Sequence, residues 1–176
     1  MNIIRYIIFV CIFALLRADD CPEGYIDNSA NSSTDDDICI PQNFSYNASP
    51  MQAYYYIVNV KINNIDVTSD DWVGAFNNGI CVGARKWDTS FCGGEVCDIP
   101  VLGNDGSEFT EGYMESGQIP NFKIFRASDL TYLDATPDVN HPWSFQVIRM
   151  INFFWIENKC SIRTVHINFR SDSKFS

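Results

Sequence analysis

The sequence predicts an all-β fold: an antiparallel β-sandwich, Ig-like or jelly-roll-like, stabilised by disulfides. Three observations carry this expectation. Short apolar or alternating runs recur along the chain, separated by Gly, Pro and Asn turns. No stretch of useful length shows the 3.6-residue period of a helix. Six cysteines, an even number, follow what reads as a secretory leader.

That leader is Met1 to Ala18. Arg5 gives it a positive start, Ile7 to Leu16 is an unbroken apolar run containing Cys11, and Asp19-Asp20 follows. The run is short for a bilayer span, and no later stretch is long or apolar enough to be one. The expected location is therefore secreted, extracellular or cell-surface. The remaining organisation reads as a polar, disulfide-tied lead-in over 19–50, one sandwich domain over 51–170 and a frayed tail over 171–176. Within the lead-in, Asn31, Asn43 and Asn47 each open an N-x-S/T sequon.

Tyr54 to Ile65 reads as the first strong strand. Tyr56, Val58, Val60 and Ile62 alternate there with Ile57, Asn59 and Lys61. Trp72 to Phe76 and Ile80 to Lys86 form a hairpin about Asn77-Asn78-Gly79, because Asn and Gly tolerate the positive φ of a tight turn. Gly74 and Gly83 sit inside these strands, which points to a bulge or a close neighbour. Val96 to Leu102 is short and interrupted by Pro100, which favours a sheet edge. Gly103 to Gln118 is a loop with four glycines and four acids. Ile119 to Arg126 and Leu130 to Ala135 pair across Ala127-Ser128-Asp129. A loop from Thr136 to Trp143 leads to two last apolar strands, Phe145 to Trp155 and Ile162 to Phe169.

The cysteines after the leader are Cys21, Cys39, Cys81, Cys92, Cys97 and Cys160. Six thiols allow 15 pairings. Cys21–Cys39 suits a local staple, Cys92–Cys97 would close a small loop, and Cys81–Cys160 would tie the hairpin to the last strand. Zinc competes poorly for the same thiols, since no C-x2-C spacing occurs and only His141 and His166 could help.

Charge excludes one class of partner. Without the leader, two arginines are lost and ten basic residues face 22 acidic ones, a net charge of −12. Nucleic acid is not expected as a partner, because phosphate binding needs clustered Lys and Arg. Calcium is the cofactor this composition would suit. Asn104, Asp105 and Glu108 resemble half of an oxygen-rich loop, and Asp70 and Asp71 would add ligands if the loops met at one end of the sandwich.

The residues from Asp70 onward also resemble a known family. The strings DDWVGAFNNGICVGARKWDTSFCGGEVCDIPVLGNDG, TEGYM, IPNFKIFRASDLTYLDATP and PWS, with CIPQNFSYNASPMQAYYYI in the lead-in, are similar to an extracellular module. That module recurs in secreted and cell-surface proteins of bacteria and marine microbial eukaryotes, often beside acidic calcium-binding repeats. The resemblance covers about Cys39 to Trp143 and implies a non-catalytic β-sandwich. The stretch after Phe145, with Cys160, departs from the pattern.

The expected function is adhesion or binding of an extracellular glycan or protein, with Tyr55 and Trp143 as contact residues. The first alternative is a structural component of an extracellular or viral surface layer. The second is a small secreted hydrolase, its carboxylates drawn from Glu95, Asp98, Glu108 and Glu111. No enzyme is expected, because no serine sits in a G-x-S-x-G elbow and both histidines have ordinary turn or strand contexts.

Overall fold

The computed structural model describes residues 21–28, 39–92, 96–151 and 154–155. The leader, Asn31, Glu95, Cys160, His166, the strand expected over Ile162 to Phe169 and the tail lie outside the described residues.

In chain order, β1 (Tyr25–Asp27) and β2 (Cys39–Pro41) form a short ribbon. Next come β3 (Gln52–Ile57), β4 (Lys61–Ile62) and β5 (Ile65–Asp66). β6 (Trp72–Asn77) and β7 (Ile80–Lys86) make the central hairpin, and β8 (Cys97–Leu102) follows it. β9 (Asn121–Arg126) and β10 (Thr131–Pro137) pair next, then β11 (Ile148–Ile151) and β12 (Phe154–Trp155). The all-β expectation holds. A five-stranded antiparallel sheet, in order β12-β10-β9-β6-β7, packs against a three-stranded sheet in order β11-β3-β8.

Several local readings change. The first strand stops at Ile57, because Asn63 and Asn64 take φ of 52° and 65° and turn the chain into the separate β4–β5 hairpin. The inward residues are Ala53, Tyr55 and Ile57, then Val60 and Ile62, so the alternation shifts phase by one across Val58-Asn59. Asn77 belongs to β6, leaving Asn78-Gly79, with φ of 49° and 89°, as the two-residue turn. Leu130, at φ 55°, closes the β9–β10 turn rather than opening β10. In the three-stranded sheet β11 runs parallel to β3, Ile148 beside Tyr54, the one parallel pair among the named strands.

The two strand glycines have separate causes. The β6–β7 register shifts between Ala75 and Phe76, opposite Gly83 and Cys81, and this bulge leaves Val82 over. A Cβ on Gly83 would lie 1.6 Å from the Pro100 carbonyl oxygen, so β7 and β8 approach backbone to backbone where the sheets meet. Pro100 tolerates this position because β8 is an edge strand. Arg85 spans the same seam, donating to the Asp98 carbonyl at 2.6 Å and pairing with its carboxylate at 3.0 Å. A Cβ on Gly74 would press on the Phe76 and Phe44 rings at 3.1–3.2 Å.

Both faces of the five-stranded sheet are covered. Val73, Ala75, Val82, Phe122 and Ile124 face the inter-sheet core, meeting Tyr55, Ile57, Ile99 and Val101. Trp72, Phe76, Cys81, Ala84 and Phe125 face the other way, into a second cluster closed by Ile40 and Phe44. Every residue of β6 is buried, which explains a continuous apolar run where one-sided burial would give alternation. The lead-in is therefore not a coreless appendage: its Phe44 is fully buried against Phe76, Phe125 and Tyr132.

Candidate functional site

The structure removes both aromatic contact candidates from the surface. Tyr55 is 0% exposed; its hydroxyl donates to the His141 carbonyl at 3.0 Å, and burial pushes its pKa up to about 12. Trp143 lies over Gly103, where a Cβ would come within 2.3 Å of the ring, and its indole donates to the Val101 carbonyl at 2.8 Å. Both fasten the His141–Trp143 loop to the core. The ring of the Tyr54-Tyr55-Tyr56 run most open to solvent is Tyr54, one residue out of phase with the expectation. It stands beside exposed Ile148 and Met150 on the outer face of the three-stranded sheet.

The five calcium candidates do not converge. Asp71 is buried and accepts from the backbone N–H groups of Thr68 at 2.7 Å and Ala127 at 2.9 Å, while Asp70 pairs with Lys86. These aspartates precede the first residue of β6. The acidic loop packs at its last residue, where the Asn77 amide donates to the Gly112 carbonyl at 2.9 Å. Six residues of strand lie between them, a length of about 20 Å. Asp105 is engaged locally by Ser107 N–H at 2.9 Å and the Thr110 hydroxyl at 2.6 Å, which lower its pKa to about 2. Asn104 accepts from Gly106 and donates to Glu115. Among the described residues, no three His, Cys, Asp or Glu side chains are placed to share an ion.

Two disulfides form as expected, Cys21–Cys39 and Cys92–Cys97. The pairing of Cys81 is corrected: it is a free thiol, turned into the second cluster, and burial pushes its pKa up to about 12. Of the sequons, Asn43 is exposed on a single 3-10 turn. Asn47 is built into the fold instead. Its side-chain amide donates to the Phe109 carbonyl at 2.9 Å, and Ser49 of the same sequon is buried with its hydroxyl on the Gly103 carbonyl. Asp98, a hydrolase candidate, is held by Arg85, while Glu108 and Glu111 are exposed on the loop.

A cleft lies elsewhere, between the β4–β5 hairpin and the turn after β7. Its volume is about 340 Å³, and Val58, Asn59, Val60, Lys61, Asp66, Val67, Ser69, Trp87, Asp88 and Thr89 line it. This falls within the range of small-ligand sites, about 300–1,000 Å³. Trp87 is positioned by its backbone N–H, which donates to the Asp71 carbonyl at 2.7 Å. Its ring is 5% exposed and belongs to the inter-sheet core. The hairpin wall is braced by a Lys61–Asp66 ion pair at 3.0 Å. On the opposite wall, Asp88 accepts from the Ser90 N–H at 3.0 Å and hydroxyl at 2.5 Å, which hold its carboxyl below the usual range. The same turn presents Phe91, 80% exposed, and runs into the Cys92–Cys97 loop. The signal for this cleft was Asn63-Asn64: read as a tight turn, it makes a projecting hairpin and hence a wall.

Cysteine pairing of this kind suits an oxidising, extracellular setting. No helix among the described residues is long and apolar enough to cross a membrane. Compared with protein-family models, curated proteins and solved structures, the chain matches none.

Proposed function

We propose that this chain is a secreted, non-catalytic adhesion or binding module for an extracellular glycan or protein, of the kind its central stretch resembles. The observation that carries the reading is the cleft. It combines hydrogen-bonding side chains, Asn59, Ser69, Asp88 and Thr89 among them, with walls fixed by a hairpin, an ion pair and a disulfide-pinned turn. Rigid walls matter because they lower the ordering cost of capture. Asn43 carries the glycan in this reading and Asn47 does not, since the half-buried Asn47 amide is already bonded to the Phe109 carbonyl.

The test is retention of the labelled full chain on a glycan array and on cell surfaces. Wild-type protein should be retained, and Asn59→Ala and Asp88→Ala should each lower retention at least fivefold while keeping the melting temperature. Retention that survives both substitutions would overturn the cleft as the contact site. One observation favours a second reading, a self-assembling surface-layer component: Tyr54, Ile148 and Met150 expose an apolar sheet face. Sedimentation at rising concentration separates the two. A layer component would associate, and Met150→Glu would abolish the association; a binding module stays monomeric.

A further inference from the structure

We infer that the cleft takes an extended segment of another protein, one that carries a Lys or Arg side chain between apolar neighbours. The inference rests on the binding-module reading and adds the class of partner. Two observations carry it. The first is where the exposed apolar residues stand. Phe91 and Ile65 are the two most exposed large apolar side chains among the described residues, and each belongs to a different wall of the cleft. Ile65 precedes the lining residue Asp66 in β5, and Phe91 ends the 3-10 turn that the lining residue Thr89 begins. Both walls are braced, the hairpin by the Lys61–Asp66 pair and the turn by Cys92–Cys97. They present these side chains as two fixed apolar posts, and an aromatic post is the kind of residue protein interfaces favour.

The second observation is the sign of the charge a partner meets. Lys61 pairs with Asp66 at 3.0 Å, and Lys86 with Asp70 at 3.7 Å, beside the lining residue Ser69. In both pairs the carboxylate is the outer member. The Asp66 side chain is 76% exposed against 32% for Lys61, and Asp70 is 77% against 40% for Lys86. Lys86 also acts on Asp88, so its one ammonium serves two carboxylates. The rim is thus negative between apolar posts, on a chain whose net charge is −10.

An extended protein segment answers both. Its alternate side chains point the same way. One basic side chain enters the cleft, and its neighbours two residues to either side rest on Ile65 and Phe91. Asn59, Ser69 and Thr89 supply donors and acceptors for the segment's backbone groups. A neutral saccharide brings neither a positive charge for the acids nor an apolar side chain for the posts. A lipid surface covers the posts, but it offers hydrocarbon rather than hydrogen-bonding groups to the polar cleft between them.

The experiment titrates the isotope-labelled full chain with the peptide acetyl-Gly-Leu-Ser-Arg-Ser-Leu-Gly-amide and, as control, the same peptide with Glu in place of Arg. Binding is followed by NMR. The backbone signals of Asn59, Ser69 and Thr89 should move in a saturable way with the Arg peptide, and the Glu peptide should bind at least tenfold more weakly. Phe91→Ser and Asp66→Asn should each weaken the Arg peptide at least fivefold while keeping the melting temperature. Phe109→Ser should leave it unchanged, because that exposed ring sits among acids too but on the loop at the far end of β6. Equal binding of the two peptides, or no movement with the Arg peptide at millimolar concentration, overturns the inference. So does a loss in Phe91→Ser and Asp66→Asn no greater than in Phe109→Ser. Co-sedimentation with phosphatidylcholine vesicles that Phe91→Ser abolishes overturns it as well, by giving the posts to a lipid surface. If the peptide fails while Asn59→Ala and Asp88→Ala still lower retention on the glycan array, the binding-module reading stands with a glycan ligand. If that retention is also unmoved, both readings fall.

Discussion

The two faces of the five-stranded sheet are covered by different means. The inner face meets another sheet, and its contacts are largely aliphatic: Val73, Val82, Ile124, Ile57, Ile99 and Val101. The outer face meets a ribbon too short to be a sheet of its own, and its contacts are aromatic: Phe44, Phe76, Phe125 and Trp72, with Tyr25 and Tyr132 at the margin. A sheet spreads burial over many β-branched residues in register. A short ribbon must bury as much per residue as it can, so it uses large rings in edge-on contact, such as Tyr25 on Phe125 at 5.4 Å, and a disulfide to limit its freedom. The inner face should therefore behave as the fold itself and the outer face as a detachable cover.

The sharpest break is Tyr55→Ala. It opens a cavity in the inner core and removes the hydroxyl that holds the His141 carbonyl. A loss of about 3–5 kcal/mol in urea unfolding is expected; a loss under about 1 kcal/mol would mean the inner core is not the seat of stability. Phe44→Ala should cost less, about 3 kcal/mol at most, because the ribbon can settle into the space. Replacing Cys21 and Cys39 by serine should cost about 2 kcal/mol, and hydrogen exchange should speed up in β1 and β2 while β6 and β9 stay protected. Uniform acceleration across both regions would show that the cover is not detachable.

A reagent reads the same difference without a stability change. The Cys81 thiol sits beneath the ribbon with its pKa pushed up to about 12, so almost none of it is thiolate at pH 8. Native protein should resist a thiol-specific dye, and the Cys21→Ser/Cys39→Ser variant should react faster. Rapid labelling of native protein would show that the outer face opens unaided. The smallest effect lies outside both clusters. The folded Asp105 carboxyl, at about 2, is below its unfolded value of about 4. Its contribution is fully present above pH 4 and is lost as pH falls through about 2. Asp105→Asn should thus lower the melting temperature slightly at pH 6, and the gap should close near pH 2.

Much of the framework was legible because its causes are local. Asn78-Gly79 dictates a tight turn whatever surrounds it, Pro100 asks for an edge, and cysteines 18 and five residues apart meet through short loops. The candidate site was less legible because its causes are distant. Which of three consecutive tyrosines faces inward depends on the register with β8 and β11, so alternation alone leaves the phase open, and the expected outward Tyr55 is the one that faces inward. Asp71 reads as an ion ligand until Ala127, 56 positions later, is seen to occupy it. The acidic loop reads as solvent-borne, yet Thr110, Tyr113 and Met114 are buried in it. The cleft arises from a hairpin and a turn that meet only once Trp87 is anchored on Asp71.

The parallel pairing of β11 with β3 bears on how the chain is made. Ile148 joins Tyr54, so 94 residues separate the partners. At ordinary elongation rates, about 5–20 residues per second, the nascent chain waits about 5–20 s between displaying that edge of β3 and delivering the strand that closes it. Throughout that interval three successive tyrosines stand on an open strand edge, inviting the wrong neighbour. Yield from a secretory host should therefore respond to translation speed and to holding chaperones more than to the stability of the finished protein.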